Sequence, residues 1–131
     1  MRMIGPIVLI FYLGVAFPLP TSAEDTKKQQ SQLVVYKRWL DALGPNGARF
    51  WIRLDSTVRP HRLYLGEAFF RADYQYKERF VEIYSIYLTG HLDKLMLIDL
   101  FEAATNRPVG EFGWGGFKLL PEFAHRSQKL Q

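Results

Sequence analysis

The feature that most constrains the fold is a helical pattern that lies between two strand-like segments. Polar residues recur every three or four positions between residues 73 and 89 and form one narrow stripe of Gln75, Glu78, Glu82, Ser85 and Thr89. Apolar residues occupy the opposite side, as in a helix that buries one face. Asp73 is a candidate N-cap, and Gly90 stands where a glycine ends a helix. The pattern predicts a helix over 73–89.

Strand patterns precede and follow this helix. Residues 49–55 and 61–65 alternate between apolar and polar side chains and are separated by a short connection, which predicts a hairpin. Residues 95–101 are apolar on both faces except for Asp99, which is typical of a central strand. Residues 109–114 predict a returning strand. The two strands that flank the helix can pair in parallel through a crossover connection.

One more helix is predicted near the start of the domain, and it completes the fold class. Apolar residues recur at helical spacing from Leu33 to Leu43 and are followed by Gly44 and Pro45, which predicts a helix over about 28–43. The element order is then α-β-β-α-β-β. The sequence predicts a single small α+β domain with a mixed, mostly antiparallel sheet and two packed helices.

The first 23 residues differ in character from the rest of the chain. Arg2 precedes an almost wholly apolar run over residues 4–17, and Thr21-Ser22-Ala23 supplies the small residues that a signal peptidase recognises. The run is shorter than the about 20 residues that a spanning helix needs. We expect an N-terminal signal peptide over 1–23 that is cleaved after Ala23. An uncleaved N-terminal membrane anchor is the alternative.

The expected organisation is a signal peptide over 1–23, a polar leader over 24–32, a globular domain over 33–121 and a polar tail over 122–131. The leader is either loose or an extension of the first helix. The protein is then exported, periplasmic or secreted, and meets the membrane only if the signal segment is retained. The chain has no cysteine, so it has no disulfide and no thiolate metal site. Small animal extracellular domains are disulfide-dense, which favours a bacterial periplasm here.

The net charge is modest. The chain has 17 basic and 13 acidic residues, and removal of Arg2 with the signal peptide leaves 16 basic ones. Such an excess is ordinary for a soluble small domain and does not indicate nucleic acid binding. Export argues against a nucleic acid partner as well.

The first candidate site is the outward face of the predicted hairpin. If the strands pair as predicted, this face carries Arg49, Trp51, Arg53, Arg62 and Tyr64. Guanidinium groups pair with carboxylate or phosphate and aromatic rings stack on ligands, so the set suits an anionic ligand such as a glycan or a lipid head group. The alternative is structural. In that case Trp51 and Tyr64 lie under the first helix, or pair across strands with arginine side chains packed on them.

The second candidate site is the glycine- and aromatic-rich segment over residues 110–117. Phe112, Trp114 and Phe117 could line a pocket or contact a partner, since glycine lets a backbone approach a ligand closely. The segment opens no predicted helix, so it does not match a dinucleotide-binding loop. The alternative is a bulged final strand whose aromatic residues fill the core.

The remaining candidate is a histidine with nearby carboxylates. His91 precedes Asp99 and Glu102, and a carboxylate can orient an imidazole for general base catalysis. The spacing is a weak signal, and the chain lacks the common nucleophile and paired-histidine metal motifs. The sequence therefore assigns no catalytic residue, metal ligand or cofactor.

These observations favour an exported, non-enzymatic binding or assembly module. We expect it to contact a protein partner or an anionic ligand through the basic-aromatic hairpin face and the glycine-aromatic segment. The alternative function is a small hydrolase or isomerase that uses His91 with Asp99 or Glu102.

Overall fold

A computed structural model describes residues 18–124, with side chains from Asp25 onward. The apolar run of the expected signal peptide, residues 4–17, lies outside the described residues, and so do residues 125–131 of the tail. The chain divides into two compact units, residues 1–32 and 33–131. In the first unit the described residues are helical and mostly exposed. The second unit contains the sheet and the core.

The described residues form a small α+β fold with four helices and a five-stranded mixed sheet. In chain order the elements are α1 (Pro18–Ala42), β1 (Trp51–Asp55), β2 (His61–Leu65), α2 (Glu67–Arg71), α3 (Tyr74–Thr89), β3 (Ile98–Glu102), β4 (Pro108–Gly113), β5 (Gly116–Leu119) and α4, of which residues 121–124 are described. Within residues 18–124, none of the helices combines the length and the apolar character needed to cross a bilayer.

The sheet follows the chain order β1-β2-β3-β4-β5. Strands β2 and β3 pair in parallel, and the other three neighbouring pairs are antiparallel. A parallel pair of successive strands needs a crossover connection, which α2 and α3 provide here. The predicted parallel pairing and the mixed, mostly antiparallel sheet are confirmed.

Helix α3 occupies the predicted segment. The Asp73 side chain accepts a hydrogen bond from the backbone N–H of Tyr76 at 2.8 Å, as an N-cap does. Gly90 ends the helix with φ of 74°, in the left-handed region that glycine adopts without steric cost. Both ends of α3 are therefore determined by the residues that the sequence pattern identifies.

The observed element order, α-β-β-α-α-β-β-β-α, differs in detail from the prediction. Helix α2 was not predicted, although it brings Phe69 and Phe70 into the core. Helix α1 begins at Pro18 rather than near residue 28, and proline is tolerated in this first turn because no backbone donor is needed there. The last predicted strand is one arm of a hairpin whose second arm is β5.

The core lies on one face of the sheet, under the helices. Strand residues such as Leu63 and Leu100 are fully buried there against α3 residues such as Phe80 and Val81. The Phe50 ring joins this layer and contacts both Phe69 and Phe80. We call the opposite face of the sheet, which carries the polar side chains of the strands, the open face.

Candidate functional site

A bulge in β1 decides which hairpin residues face outward. Trp51 lies opposite Leu65 and Arg53 lies opposite Tyr64, so Ile52 is an additional residue without a counterpart on β2. A bulge reverses the alternation of side chains beyond it. Trp51 and Arg53 were predicted to share a face, and this prediction is wrong because of the bulge.

The Trp51 side chain points into the helical layer. Its indole nitrogen donates a hydrogen bond to the Leu40 carbonyl oxygen at 2.8 Å. Its ring meets the Tyr84 ring edge-on, with centroids 5.3 Å apart. The structure therefore gives Trp51 the position under the first helix that the structural alternative described.

Arg53, Arg62 and Tyr64 do share the open face, as predicted. The Arg53 guanidinium carbon lies 3.6 Å from the centroid of the Tyr64 ring and covers it, which leaves Tyr64 only 7% exposed. Tyr64 also stacks on Phe101 at 5.3 Å, and Arg62 lies over the Phe101 ring. The sequence analysis missed Phe101, although its position two residues after Asp99 places both side chains on one face of β3.

Arg49 lies away from this face. It precedes β1 with φ of 62°, and its Nε donates to a Glu67 carboxylate oxygen at 2.9 Å. Its Nη1 donates to the Pro45 carbonyl oxygen at 3.3 Å. The ion pair with Glu67 is exposed at both ends, so its contribution to stability is small.

One charged residue from each strand forms a line across the open face. The strand register pairs them successively from β1 to β5 as Asp55, Arg62, Asp99, Glu111 and Lys118. We call this line the charged row. Within the described part of the chain, no two of its members form an ion pair with each other.

The centre of the charged row is electrostatically unfavourable. Burial raises the pKa of Asp99 and the opposing Glu111 carboxylate raises it further, while the charge of Arg62 lowers it. Asp99 and Glu111 lie directly opposite each other on β3 and β4, where like charges destabilise a sheet. They open onto a groove of about 460 Å³ that is also lined by Phe101, Pro108 and Lys118.

The glycine-aromatic segment divides into buried and exposed parts. Phe112 and Phe117 lie opposite each other on β4 and β5 and are buried in the core, so they take the structural role that the sequence left open. The Phe117 ring packs edge-on against Tyr74, and the Tyr74 hydroxyl donates to the Phe117 carbonyl oxygen at 3.2 Å. Trp114 is 96% exposed at the turn between the strands.

Trp114 belongs to an apolar concavity at this end of the sheet. The concavity has a volume of about 340 Å³ and is lined by Arg59, Pro60, Leu95, Met96, Leu97 and Trp114, which we call the tip patch. Leu95 is 56% exposed. The turn that presents Trp114 is closed by Gly116, whose φ of 87° is accessible to glycine at little cost.

Two connections support the tip patch from behind. The Ser85 hydroxyl donates to the Met96 carbonyl oxygen at 2.6 Å and accepts from the Met96 backbone N–H, so the loop that carries Leu95 and Leu97 is held to α3. The Arg59 guanidinium donates to the carbonyl oxygens of residues 56 and 58 in its own loop. These contacts hold the backbone of the two loops that carry the patch.

A buried histidine, His61, directly follows Pro60 of the tip patch in the sequence. His61 is 5% exposed, and its Nδ1 lies 3.2 Å from the Ser56 hydroxyl. Its Nε2 is buried without a hydrogen-bond partner among the described residues. Burial lowers the pKa of His61, and the charge of Arg59 lowers it further. Both effects favour the neutral imidazole over the charged one.

The residues of the enzymatic alternative are not gathered around a pocket. His91 is exposed in the loop after α3, and its described hydrogen bonds join its backbone to Thr89 and Lys94. Asp99 belongs to the charged row on the open face, and Glu102 is the last residue of β3. Among the residues that the structure describes, no group of three or more metal-ligating side chains could hold a metal ion.

Comparison with known proteins does not assign the chain to a family. No protein-family model, curated protein or solved structure matches it.

Proposed function

We propose that the globular part of this chain is a non-enzymatic binding module of an exported protein, and that the tip patch is the surface that holds a protein partner. The observation that carries this proposal is the 96% exposure of Trp114 beside the exposed Leu95 and the half-buried Pro60, Met96 and Leu97. Tryptophan is enriched among residues that dominate binding energy, and contiguous exposed apolar surface marks interaction sites.

The expected energetic gain from Trp114 is large. Burying one indole removes about 200 Å² from water, which contributes about 5 kcal/mol before the costs of association. The other two tryptophans, Trp39 and Trp51, already pack against the core. The Trp114 backbone is held by a turn between paired strands, so little backbone conformational entropy is lost when it binds.

Basic groups beside the patch define the chemistry of the partner. Arg59 lines the concavity, and the Lys118 ammonium lies against the Trp114 turn, since a Cβ on Gly115 would meet the Lys118 Nζ at 2.7 Å. An apolar centre with cationic groups at its margin fits a protein segment that offers an apolar side chain flanked by carboxylates. Complementary charge would guide the encounter while the indole supplies the affinity.

Export remains part of this proposal. The features that support it are the apolar run over residues 4–17 and the small residues Thr21-Ser22-Ala23. Expression of the full chain with a C-terminal tag, fractionation and N-terminal sequencing test it. A mature N-terminus at Glu24 is the expected result, whereas an intact N-terminus in the membrane fraction would show that the segment anchors the protein.

The binding proposal is tested with tagged full chains purified from the native host after cross-linking. Trp114→Ala should remove a stoichiometric partner protein, while Leu120→Ala, which shortens another exposed apolar side chain, should retain it. Both variants should unfold at the wild-type midpoint, because neither side chain is buried. Retention of every cross-linked protein by Trp114→Ala would contradict the proposal. The proposal would also be contradicted if the wild-type chain bound anionic vesicles and Trp114→Ala abolished that binding without removing a protein partner.

A further inference from the structure

We propose that the open face of the sheet binds a second copy of this chain, in a two-fold, face-to-face arrangement. The proposal concerns the open face and not the apolar side chains of the tip patch, and Lys118 lies at the margin of both surfaces. The described helices α2 and α3 and the C-terminal part of α1 pack on the other face of the sheet. Apart from Tyr64, which Arg53 covers, the side chains named on the open face are exposed or half-exposed.

The order of charges along the charged row carries the inference. From β1 to β5 the signs are negative, positive, negative, negative and positive. A two-fold axis parallel to β3 places the row of a second copy opposite the first in reverse order. Asp55 then faces Lys118 of the second copy, and Arg62 faces Glu111 of the second copy. Each of these pairs occurs twice, so four of the five positions are complementary.

The fifth position is the one on the axis, where Asp99 faces Asp99 of the second copy. Two carboxyl groups that face each other directly cannot both be charged without repulsion, but they can share one proton. Burial already raises the pKa of Asp99 within one copy. The single like-charge contact of the arrangement therefore falls on a carboxyl group whose pKa burial already raises.

The open face also has a groove at the position that this arrangement gives to an arginine of the second copy. The groove of about 460 Å³ beside Asp99 and Glu111 lies where Arg62 of the second copy would enter. A guanidinium group fits between two carboxylates because it donates in a planar fork. Phe101 and Pro108 line the same groove and supply apolar contact to the stem of the entering arginine.

The size of the face sets the expected affinity. Five strands spaced about 4.8 Å apart and about five residues long give a face of about 24 Å by about 16 Å. This is below the about 800 Å² per partner of a standard stable interface. The dimer should accordingly be weak, with a dissociation constant between about 10 µM and 1 mM.

A charge exchange tests the proposal most sharply. Sedimentation equilibrium at protein concentrations up to about 1 mM should show a monomer–dimer equilibrium for the wild-type chain. Arg62→Glu alone and Glu111→Arg alone should each weaken dimerisation by at least about tenfold, because each places like charges opposite each other twice. The double variant Arg62→Glu/Glu111→Arg should restore dimerisation to within about threefold of the wild type. Circular dichroism and thermal unfolding show whether each variant is folded.

A second variant tests the position of the axis. Asp99→Asn removes the like-charge contact and should tighten the dimer by at least about threefold at neutral pH. Trp114→Ala should leave the dimer unchanged, which separates this inference from the proposed function. A wild-type chain that stays monomeric at the highest concentration would overturn the proposal. So would a folded double variant that does not regain dimerisation, or an Asp99→Asn variant that binds no more tightly.

Discussion

The indole nitrogen of Trp51 donates a hydrogen bond to the carbonyl oxygen of Leu40 at 2.8 Å. Leu40 lies in the last turn of α1, and its carbonyl oxygen also accepts from the Leu43 backbone N–H at 3.1 Å. The Trp51 side chain therefore adds a second donor at this helix end and joins it to edge strand β1. The bond exists because the β1 bulge turns Trp51 toward the helices.

Loss of this bond should be measurable as loss of stability. Trp51→Phe keeps an aromatic ring but removes the donor, and we expect the free energy of unfolding to fall by about 1–2 kcal/mol. Urea denaturation followed by circular dichroism measures this. Trp114→Phe is the matched control, because its ring is exposed, and it should stay within about 0.5 kcal/mol of the wild type. Equal effects of the two variants would contradict the anchoring role of Trp51.

The N-cap of α3 gives a second prediction. Asp73→Ala removes the acceptor for the Tyr76 N–H and should destabilise the domain by about 1 kcal/mol. Asp73→Asn keeps a capping oxygen and should cost much less. Thermal unfolding of both variants distinguishes a capping role from a general effect of removing the charge, since the charge is lost in both.

Ser85 offers a prediction that joins stability to the tip patch. Ser85→Ala leaves the Met96 backbone N–H and carbonyl without their described side-chain partner and should cost about 2 kcal/mol. Hydrogen exchange at the Met96 amide should accelerate in the variant by more than exchange in the β2 strand. Thr105→Ala, which alters an exposed hydroxyl, serves as the control. Unchanged protection at Met96 would show that the loop is held by other contacts.

The buried His61 predicts a dependence of stability on pH. Its folded-state pKa lies below the ordinary value of 6.5, so the unfolded chain takes up the proton first as pH falls. The stability due to a neutral His61 is complete above pH 6.5 and is lost progressively as pH falls from there toward the lowered pKa. In His61→Gln, the free energy of unfolding should decrease less than in the wild type as the pH falls from 7.5 to below the lowered pKa of His61. An equally steep change in the variant would assign the dependence to other groups.

Local patterns in the sequence were sufficient where local interactions decide the structure. The stripe over residues 73–89 and its two capping residues predicted α3 correctly. The start of a helix depends on the side chain of the N-cap residue, and its end depends on a residue such as glycine that can adopt the left-handed conformation. The crossover between β2 and β3 followed from the same order of elements. These features need no knowledge of distant contacts.

The candidate site was less predictable because it depends on register. The bulge at Ile52 moves Trp51 off the outward face, and strict alternation gives no sign of it. The charged row likewise exists only once five strands are aligned, and Phe101 joins Tyr64 by the same alignment. The exposure of Trp114 depends on where the last hairpin turns. Several glycines lie within residues 110–117, so the sequence did not show which of them forms the turn.

The Tyr74 hydroxyl that donates to the Phe117 carbonyl has a consequence for self-association. Phe117 lies on β5, the last strand of the sheet, and an edge strand is a template on which strands of other molecules can extend a sheet without limit. The phenol occupies a backbone acceptor on that strand, and at the opposite margin the bulge in β1 interrupts regular pairing. Each margin of the sheet therefore carries a feature that disfavours the addition of a further strand.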